Sequence, residues 1–288
     1  MPMEDRVLGL IAGQGRLPTL VAQGMKASGA RVCGVGLREH YDPDLPALCD
    51  HFQVVGVYRV GRWIRALRNC GVTEAVLVGR VAKARMHDPM RLFRDLPDWR
   101  ALKLWYRRMR NDRRNAAVLM ALAEELRESG ITLIDSTTHI TDHLADDGPM
   151  TPAAPTPQQQ ADIDRGWPTL KRLVKLDIGQ SIAVCQGEVI AVESLEGTDA
   201  MIERAGRLNG RGGWTLLKAP SDDHDMRFDV PAIGPVTIDR LAGAGAGCVA
   251  VRAGEVIMID KPQVIEAATQ AGIAIVGVGP PAARTPRV

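Results

Sequence analysis

No run of about twenty apolar residues occurs in this chain, which excludes an ordinary transmembrane helix. The N-terminus, MPMEDRVLGLIAG, starts apolar but has neither a long hydrophobic region nor a cleavage pattern, so no signal peptide is expected. Net charge is nearly absent: 36 Lys and Arg against 34 Asp and Glu leave +2. That balance gives no global case for a nucleic-acid partner. Cysteine is scarce. Cys33, Cys49, Cys70, Cys185 and Cys248 are scattered among apolar strand or turn positions without metal-ligand pairing. They are expected as reduced, mostly buried thiols of a cytoplasmic protein. HExxH and paired CxxC motifs are missing, and no Ser/His/Asp triad can be built from the spacing. Glycine and proline are plentiful but never periodic, which removes collagen-like and low-complexity readings.

What remains is the composition of a folded protein, 45% hydrophobic over 288 residues. A natural division is two domains of roughly 150 residues each. In the first half Val7–Ala12 reads as a strand, and Gly13-Gln14-Gly15-Arg16-Leu17-Pro18 as the turn into a helix, with Pro18 tolerated in its first turn. Gly29 suits the helix end, and Arg31–Leu37 resumes as a strand. A second cycle has a helix over Val60–Asn69, a cap at Gly71 and a strand over Glu74–Gly79. Asn115–Ser129 then reads as a helix before the strand Ile131–Ile134. This alternation predicts a parallel α/β domain of Rossmann-like character.

The proline-rich stretch Asp146–Pro157 interrupts that rhythm and marks a boundary, giving domains 1–157 and 158–288, with part of Ala161–Leu173 as a connecting helix. The second half predicts a mixed α/β domain. Ser181–Cys185 and Val189–Glu193 form a hairpin around Gln186-Gly187, and Cys248–Arg252 and Glu255–Ile259 a second around Ala253-Gly254. Asp260 is placed to cap the next helix, with Pro262 in its first turn, and Ile273–Val278 returns as a strand.

Four places carry candidate chemistry. The turn Gly13-Gln14-Gly15 allows close backbone approach and presents amides at a helix start, but the third glycine of GxGxxG is absent and no Walker lysine follows. A structural turn and an anion-binding turn both stay open. Val78-Gly79-Arg80 ends a parallel strand, where ligands commonly gather. In Glu193-Ser194-Leu195-Glu196-Gly197-Thr198-Asp199, Glu196 can serve a hydrated cation or a ribose hydroxyl. Thr198, Asp199 and the helix-start amides can hold phosphate, or cap the helix. The fourth is Lys218-Ala219-Pro220-Ser221-Asp222-Asp223-His224-Asp225-Met226-Arg227-Phe228-Asp229, a charge density that needs mutual pairing, a polar ligand or solvent. Lys218 and Arg227 can neutralise phosphate oxygens, and Asp225 can bind Mg²⁺ or orient water. Asp229 can join the metal or position Arg227. His224 alone makes no metal site.

Trp99 to Arg114 stands apart, with Arg100, Lys103, Arg107, Arg108, Arg110, Arg113 and Arg114 against one Asp112, interleaved with Trp99, Leu104, Trp105 and Tyr106. It reads as a solvated basic face or as an interfacial surface for anionic lipid or phosphate.

At these residues the chain resembles the bacterial LpxI-type UDP-2,3-diacylglucosamine pyrophosphatases of lipid A biosynthesis, and in detail the Caulobacter-type branch. The resemblance spans nearly the whole chain. It rests on Leu10 to Pro18, on the Leu195–Ile202 turn, and on Lys218-Ala219-Pro220 followed by Asp225 to Gly234. It implies two dissimilar domains with substrate between them. The implied reaction is Mg²⁺-dependent hydrolysis of UDP-2,3-diacylglucosamine to UMP and 2,3-diacylglucosamine 1-phosphate (lipid X), with attack on the α-phosphorus; Mn²⁺ is the alternative ion. Asp225 matches the family's essential aspartate, and Glu196, Thr198 and Asp199 match its EGTD turn. Lys218, Arg227 and Asp229 belong to its second motif. Residue chemistry and the resemblance together give Asp225, Lys218 and Arg227 as the expected catalytic set and Asp225, Glu196 and Asp229 as candidate metal ligands, though the resemblance alone does not assign each a metal bond. Gly13, Gly15, Gly79, Glu196, Thr198, Asp199, Lys218 and Arg227 are then substrate contacts. His224 departs from the pattern, standing where relatives commonly have glutamine, and Ser221-Asp222-Asp223 resembles an insertion. A lipid substrate implies peripheral contact with the cytoplasmic side of the inner membrane. A homo-oligomer is compatible with the sequence, though no coiled coil compels one.

Overall fold

The computed structural model describes residues 6–81, 96–109 and 115–279. The chain forms two compact units: Met1–Ile140 with Asp225–Asp229, and Thr141–His224 with Val230–Val288. Five residues from the C-terminal half thus belong to the N-terminal unit. The proline-rich stretch lies wholly inside the second unit.

In the first unit β1 (Val7–Ala12), β2 (Arg31–Leu37), β3 (His51–Val55), β4 (Glu74–Val78) and β5 (Thr132–Leu133) form an all-parallel sheet in the order β3-β2-β1-β4-β5. The Rossmann-like expectation is met, and β3 is an element the sequence reading missed. Helices α1 (Arg16–Ala27), α2 (Val60–Asn69), α3 (Trp99–Leu104, continued by a π-helical turn over Trp105–Met109) and α4 (Asn115–Glu128) belong to the same unit. Central β1 is buried along almost its whole length, as a strand covered on both faces must be. In α2, Val60, Trp63, Ile64 and Leu67 recur at i, i+3, i+4 and i+7 and are buried, while Arg62, Arg65 and Arg68 face solvent.

The strand order reverses between β1 and β4, and a crevice beyond the C-terminal strand ends is expected there. Here the backbone closes on itself. The Gly13 amide donates to Val78 O at 2.7 Å, the Gln14 amide to Arg80 O at 2.8 Å and the Arg80 amide to Gln14 O at 2.9 Å. A Cβ on Gly79 would stand 2.6 Å from the Gly13 carbonyl carbon, and φ at Gly79 is +97°. Backbone cannot yield as a side-chain tip can. Gly79→Ala is therefore expected to destabilise the protein by roughly 3 kcal/mol, measured as a shift in the urea unfolding midpoint; an unchanged midpoint would contradict this packing.

The expectation of five reduced thiols is corrected for two of them. Cys33 in β2 and Cys70 at the end of α2 form a disulfide, with Cα atoms 6.5 Å apart across 37 residues. The return from α2 to the sheet brings them together, which linear spacing does not reveal. Cys49, Cys185 and Cys248 are free. Burial pushes the Cys49 thiol up to about 11 and that of Cys248 up to about 12, so both stay protonated near neutrality.

In the second unit β6 (Gly148–Pro149), β7 (Ser181–Cys185), β8 (Glu188–Val192), β9 (Trp214–Lys218), β11 (Ala246–Arg252) and β13 (Ala274–Val278) form a mixed sheet ordered β6-β13-β11-β9-β7-β8. The pairs β9–β11 and β11–β13 are parallel, the others antiparallel. Its helices are α5 (Pro157–Lys175), α6 (Thr198–Leu208), α7 (Pro235–Gly243) and α8 (Lys261–Gln270). A capping box starts α5: the Thr156 hydroxyl accepts from the Gln159 amide, the Gln159 side chain accepts from the Thr156 amide, and Pro157 fills the first turn. That helix is longer than the connector predicted.

The β7–β8 hairpin is as expected, but the second predicted hairpin is not formed. Both edges of β11 are occupied, by β9 and β13, so the following segment finds no free edge. Instead β12 (Ile257–Met258) pairs in parallel with β10 (Ala232–Ile233) as a separate two-stranded sheet. Asp260 also departs from its expected role. It precedes α8 in the left-handed region, φ 52°, and its side chain makes no capping bond, because a cap reaches the second or third amide from extended backbone. Among the described residues no helix is long and apolar enough to cross a membrane.

Candidate functional site

Each unit gathers a set of the predicted residues. In the second unit the focus is the end of the mixed sheet where β9 finishes. Antiparallel register places Ser181, the first residue of β7, opposite Lys218, the last of β9. The Glu193 amide, just beyond β8, donates to Ser181 O at 2.9 Å. Three strand ends therefore deliver a hydroxyl, an ammonium and a carboxylate to one place.

Lys218 is only 3% exposed. Its Nζ donates to Thr198 Oγ1 at 2.9 Å and lies 3.5 Å from Glu193 Oε2. The Thr198 hydroxyl donates to Glu193 Oε1 at 2.7 Å, and the Ser181 hydroxyl donates to Glu193 Oε2. Burial raises the Glu193 pKa, but Lys218 and the three hydrogen bonds outweigh it and hold the carboxyl below its ordinary range. Glu193 was not a predicted site residue. Its signal was present, a glutamate ending an apolar strand opposite Ser181, but reading it required the hairpin register.

Thr198 opens α6, and Gly197 before it, φ 84°, supplies no side-chain cap. An α-helix leaves its first amides without intrahelical acceptors, so this start is suited to an anion. The capping alternative for Thr198 and Asp199 is not what their side chains do. Thr198 serves Glu193 and Lys218, while Asp199 lies 3.4 Å from Arg240 Nε. Glu196 pairs with Arg204 at 2.8 Å on the exposed turn.

In the first unit Asp225 and Arg227 meet. Arg227 Nε donates to Asp225 Oδ1 at 2.8 Å, Nη2 to Oδ2 at 2.5 Å, and the Arg227 amide to Oδ1 at 3.1 Å. The hydrogen bond to Asp225 raises the Arg227 pKa further, so the guanidinium stays charged. The guanidinium carbon also lies 5.3 Å from the Phe228 ring centroid. Phe228 is buried in the core of this unit, and Ser136, just past β5, donates both its amide and its hydroxyl to Met226 O. A buried anchor and a doubly accepting carbonyl thus hold the pair beside the C-terminal end of the parallel sheet. Asp229 is exposed and left-handed, φ 56°.

Of the remaining predicted contacts, the Gly13 and Gln14 amides are spent within the backbone, as described, while Gly15 at φ +109° begins α1. Asp222 pairs with Lys171 at 3.0 Å. The stretch from Trp99 is described through Met109; Arg110, Asp112, Arg113 and Arg114 lie outside the described residues.

Among the described residues no cluster of three or more His, Cys, Asp or Glu side chains is placed to hold a metal ion. Carboxylate oxygen nevertheless suits a hard cation. Mg²⁺ usually takes one or two protein carboxylates and completes its shell with water and substrate phosphate. Asp225 fits that modest requirement, whereas a preformed protein cage is not what these residues build.

The family model described as the LpxI N-terminal domain matches residues 7–143, and that described as the LpxI C-terminal domain matches residues 146–276. UDP-2,3-diacylglucosamine pyrophosphatase LpxI of Caulobacter vibrioides is 33% identical over 286 residues, covering 96% of this chain and 98% of that protein. Among solved structures, the crystal structure of gox2253 is 14% identical with a TM-score of 0.32, covering 96% of this chain and 78% of that one. So slight a likeness carries no argument.

Proposed function

The chain belongs to the LpxI family, and from that premise we propose that it hydrolyses UDP-2,3-diacylglucosamine to UMP and 2,3-diacylglucosamine 1-phosphate in lipid A biosynthesis. The observation that carries this reading is the match, along nearly the whole chain, to a relative named for that pyrophosphatase activity. Water attacks the α-phosphorus, the bond from that phosphorus to the bridging oxygen breaks, and the bridging oxygen leaves with the β-phosphate as lipid X. The water oxygen ends in UMP.

Asp225 is the residue we assign to the reacting water. Arg227 grips both of its oxygens, which favours the ionised carboxylate and fixes its direction, so it serves better to orient water than to remove a proton unaided. Arg227 itself can donate to phosphate oxygens in the fork geometry guanidinium provides. At the start of α6 the free helical amides suit phosphate, and Lys218 adds positive charge beside them. Glu193 is a positioning residue: it holds Thr198 and Lys218 through hydrogen bonds rather than touching substrate. Glu196, on its exposed turn, is assigned to a ribose hydroxyl. Mg²⁺, or Mn²⁺ in its place, would when bound polarise the phosphorus and offset transition-state charge, with Asp225 and Asp229 as the protein residues holding it. A lipid substrate places the work at the cytoplasmic face of the inner membrane, reached by peripheral contact.

The direct test is UMP release from purified protein and defined lipid, repeated with chelator and with Mg²⁺ restored. Activity lost with chelator and recovered with Mg²⁺ is expected, and solvent labelled with heavy oxygen should label UMP. Binding and release of intact lipid without UMP would replace the enzyme with a carrier. Label appearing in lipid X would move the attack to the β-phosphorus.

A further inference from the structure

The segment from Leu96 to Arg108 exposes more large apolar surface than any other described stretch of similar length: Trp99 is 79% and Tyr106 65% exposed, and Leu96, Leu102 and Trp105 are also exposed. In α3 and its π-helical continuation, Trp99, Leu102 and Tyr106 fall at i, i+3 and i+7, on one face. Leu104 points the other way and is buried in the core of the first unit, with Ala101 partly buried against it. The helix is therefore anchored by one side, leaving its aromatic side outward. Asp98 caps it, accepting from the Ala101 amide at 2.9 Å. Arg100 reaches Glu125 at 3.1 Å and Arg108 reaches Glu128 at 3.0 Å, which ties the segment to α4. Lys103 and Arg107 are exposed beside the aromatic face and have no ion pair among the described residues.

Indole and phenol rings flanked by cations match the chemistry of a membrane interface, where the rings enter the headgroup region and the cations meet lipid phosphate. A second copy of this surface would oppose the same two cations to each other. A nucleic acid would satisfy the charges but leave the contiguous Trp and Leu surface with little to bury it. We propose that the face bearing Trp99, Leu102, Tyr106, Lys103 and Arg107 docks the protein on an anionic lipid bilayer. The inference deepens the proposed reaction, since a lipid substrate gives the docking its purpose, but the surface argument needs no turnover.

The test is co-sedimentation of the full chain with vesicles of phosphatidylcholine alone or mixed with phosphatidylglycerol, with UMP release from detergent-dispersed substrate measured separately. Binding is expected on the mixed vesicles and weak on phosphatidylcholine. Lys103→Glu and Arg107→Glu should each weaken it by about fivefold or more. The Trp99→Ala, Tyr106→Ala pair should weaken it by roughly tenfold or more while leaving UMP release from dispersed substrate unchanged. Tryptophan quenching by brominated lipid should fall in the same pair, whose exposed positions do not threaten the core. Vesicle binding that is unaffected by the aromatic pair, or preferred binding to single-stranded RNA with none to vesicles, overturns the proposal. Docking without UMP release from the wild-type chain would sustain this surface and defeat the assigned reaction instead.

Discussion

Asparagine in place of Asp225 is expected to lower UMP release by about a thousandfold or more while leaving the protein folded. The substitution removes the negative charge that orients water and favours a cation, yet keeps the side chain's shape. Its structural cost is small, because the Asp225–Arg227 pair is about a third exposed, with side-chain exposures of 32% and 33%, and such pairs contribute at most about 1 kcal/mol. Phe228 and the Ser136 contacts to Met226 remain to hold the segment. Circular dichroism and unfolding curves, measured beside turnover, separate the two effects. A folded Asp225→Asn protein turning over near the wild-type rate would remove Asp225 from the chemistry. Asp229→Gly sharpens the result. Glycine accepts the left-handed backbone at this position, so activity retained by that variant assigns Asp229 to the turn, and activity lost assigns its carboxylate to the reaction.

The second large effect concerns Lys218. Methionine there strips Glu193 of its buried cation, leaving a carboxylate that burial drives upward against only the Ser181 and Thr198 hydrogen bonds. At neutral pH this should destabilise the protein by roughly 3 kcal/mol, with UMP release falling as well. The pH dependence has a definite sign. In the wild type the folded-state pKa of Glu193 lies below its ordinary value of 4.5, so its stabilisation is complete above the ordinary glutamate range and is lost as pH falls through the folded value. In Lys218→Met the folded pKa rises relative to wild type, so acidification protonates Glu193 sooner and the deficit against wild type shrinks. Adding Glu193→Gln to Lys218→Met should restore part of the stability but not the turnover. Urea unfolding near neutrality and near the glutamate range checks this; a deficit equal at both would mean that Lys218 acts through packing alone.

The elements most legible in the sequence were those with strong local periodicity. The β1–α1 start, α2 with its Gly71 cap and the strand β4 that follows, and the β7–β8 hairpin all follow from apolar spacing and turn residues that act within a few positions. β3 was missed because His51-Phe52-Gln53-Val54-Val55 is a sheet edge, only partly buried, and lacks the continuous apolar run of a central strand. The hairpin predicted around Ala253-Gly254 failed for the opposite reason. Its turn chemistry was sound, but both edges of β11 were already taken by strands distant in sequence. Likewise Cys33 and Cys70 are unremarkable along the chain and become partners only through the return from α2.

Local pattern by itself settled where strands, helices and turns could form, and motif chemistry identified Asp225, Arg227, Lys218 and Thr198 as groups worth following. It could do so because propensity, capping and charge density act over a handful of neighbouring residues. Tertiary packing decided that Asp225–Asp229 joins the N-terminal unit through a buried Phe228, and that Glu193 governs Lys218 and Thr198. Those outcomes depend on which strand edges remain open and which side chains share a core, and such contacts form between residues tens or hundreds of positions apart.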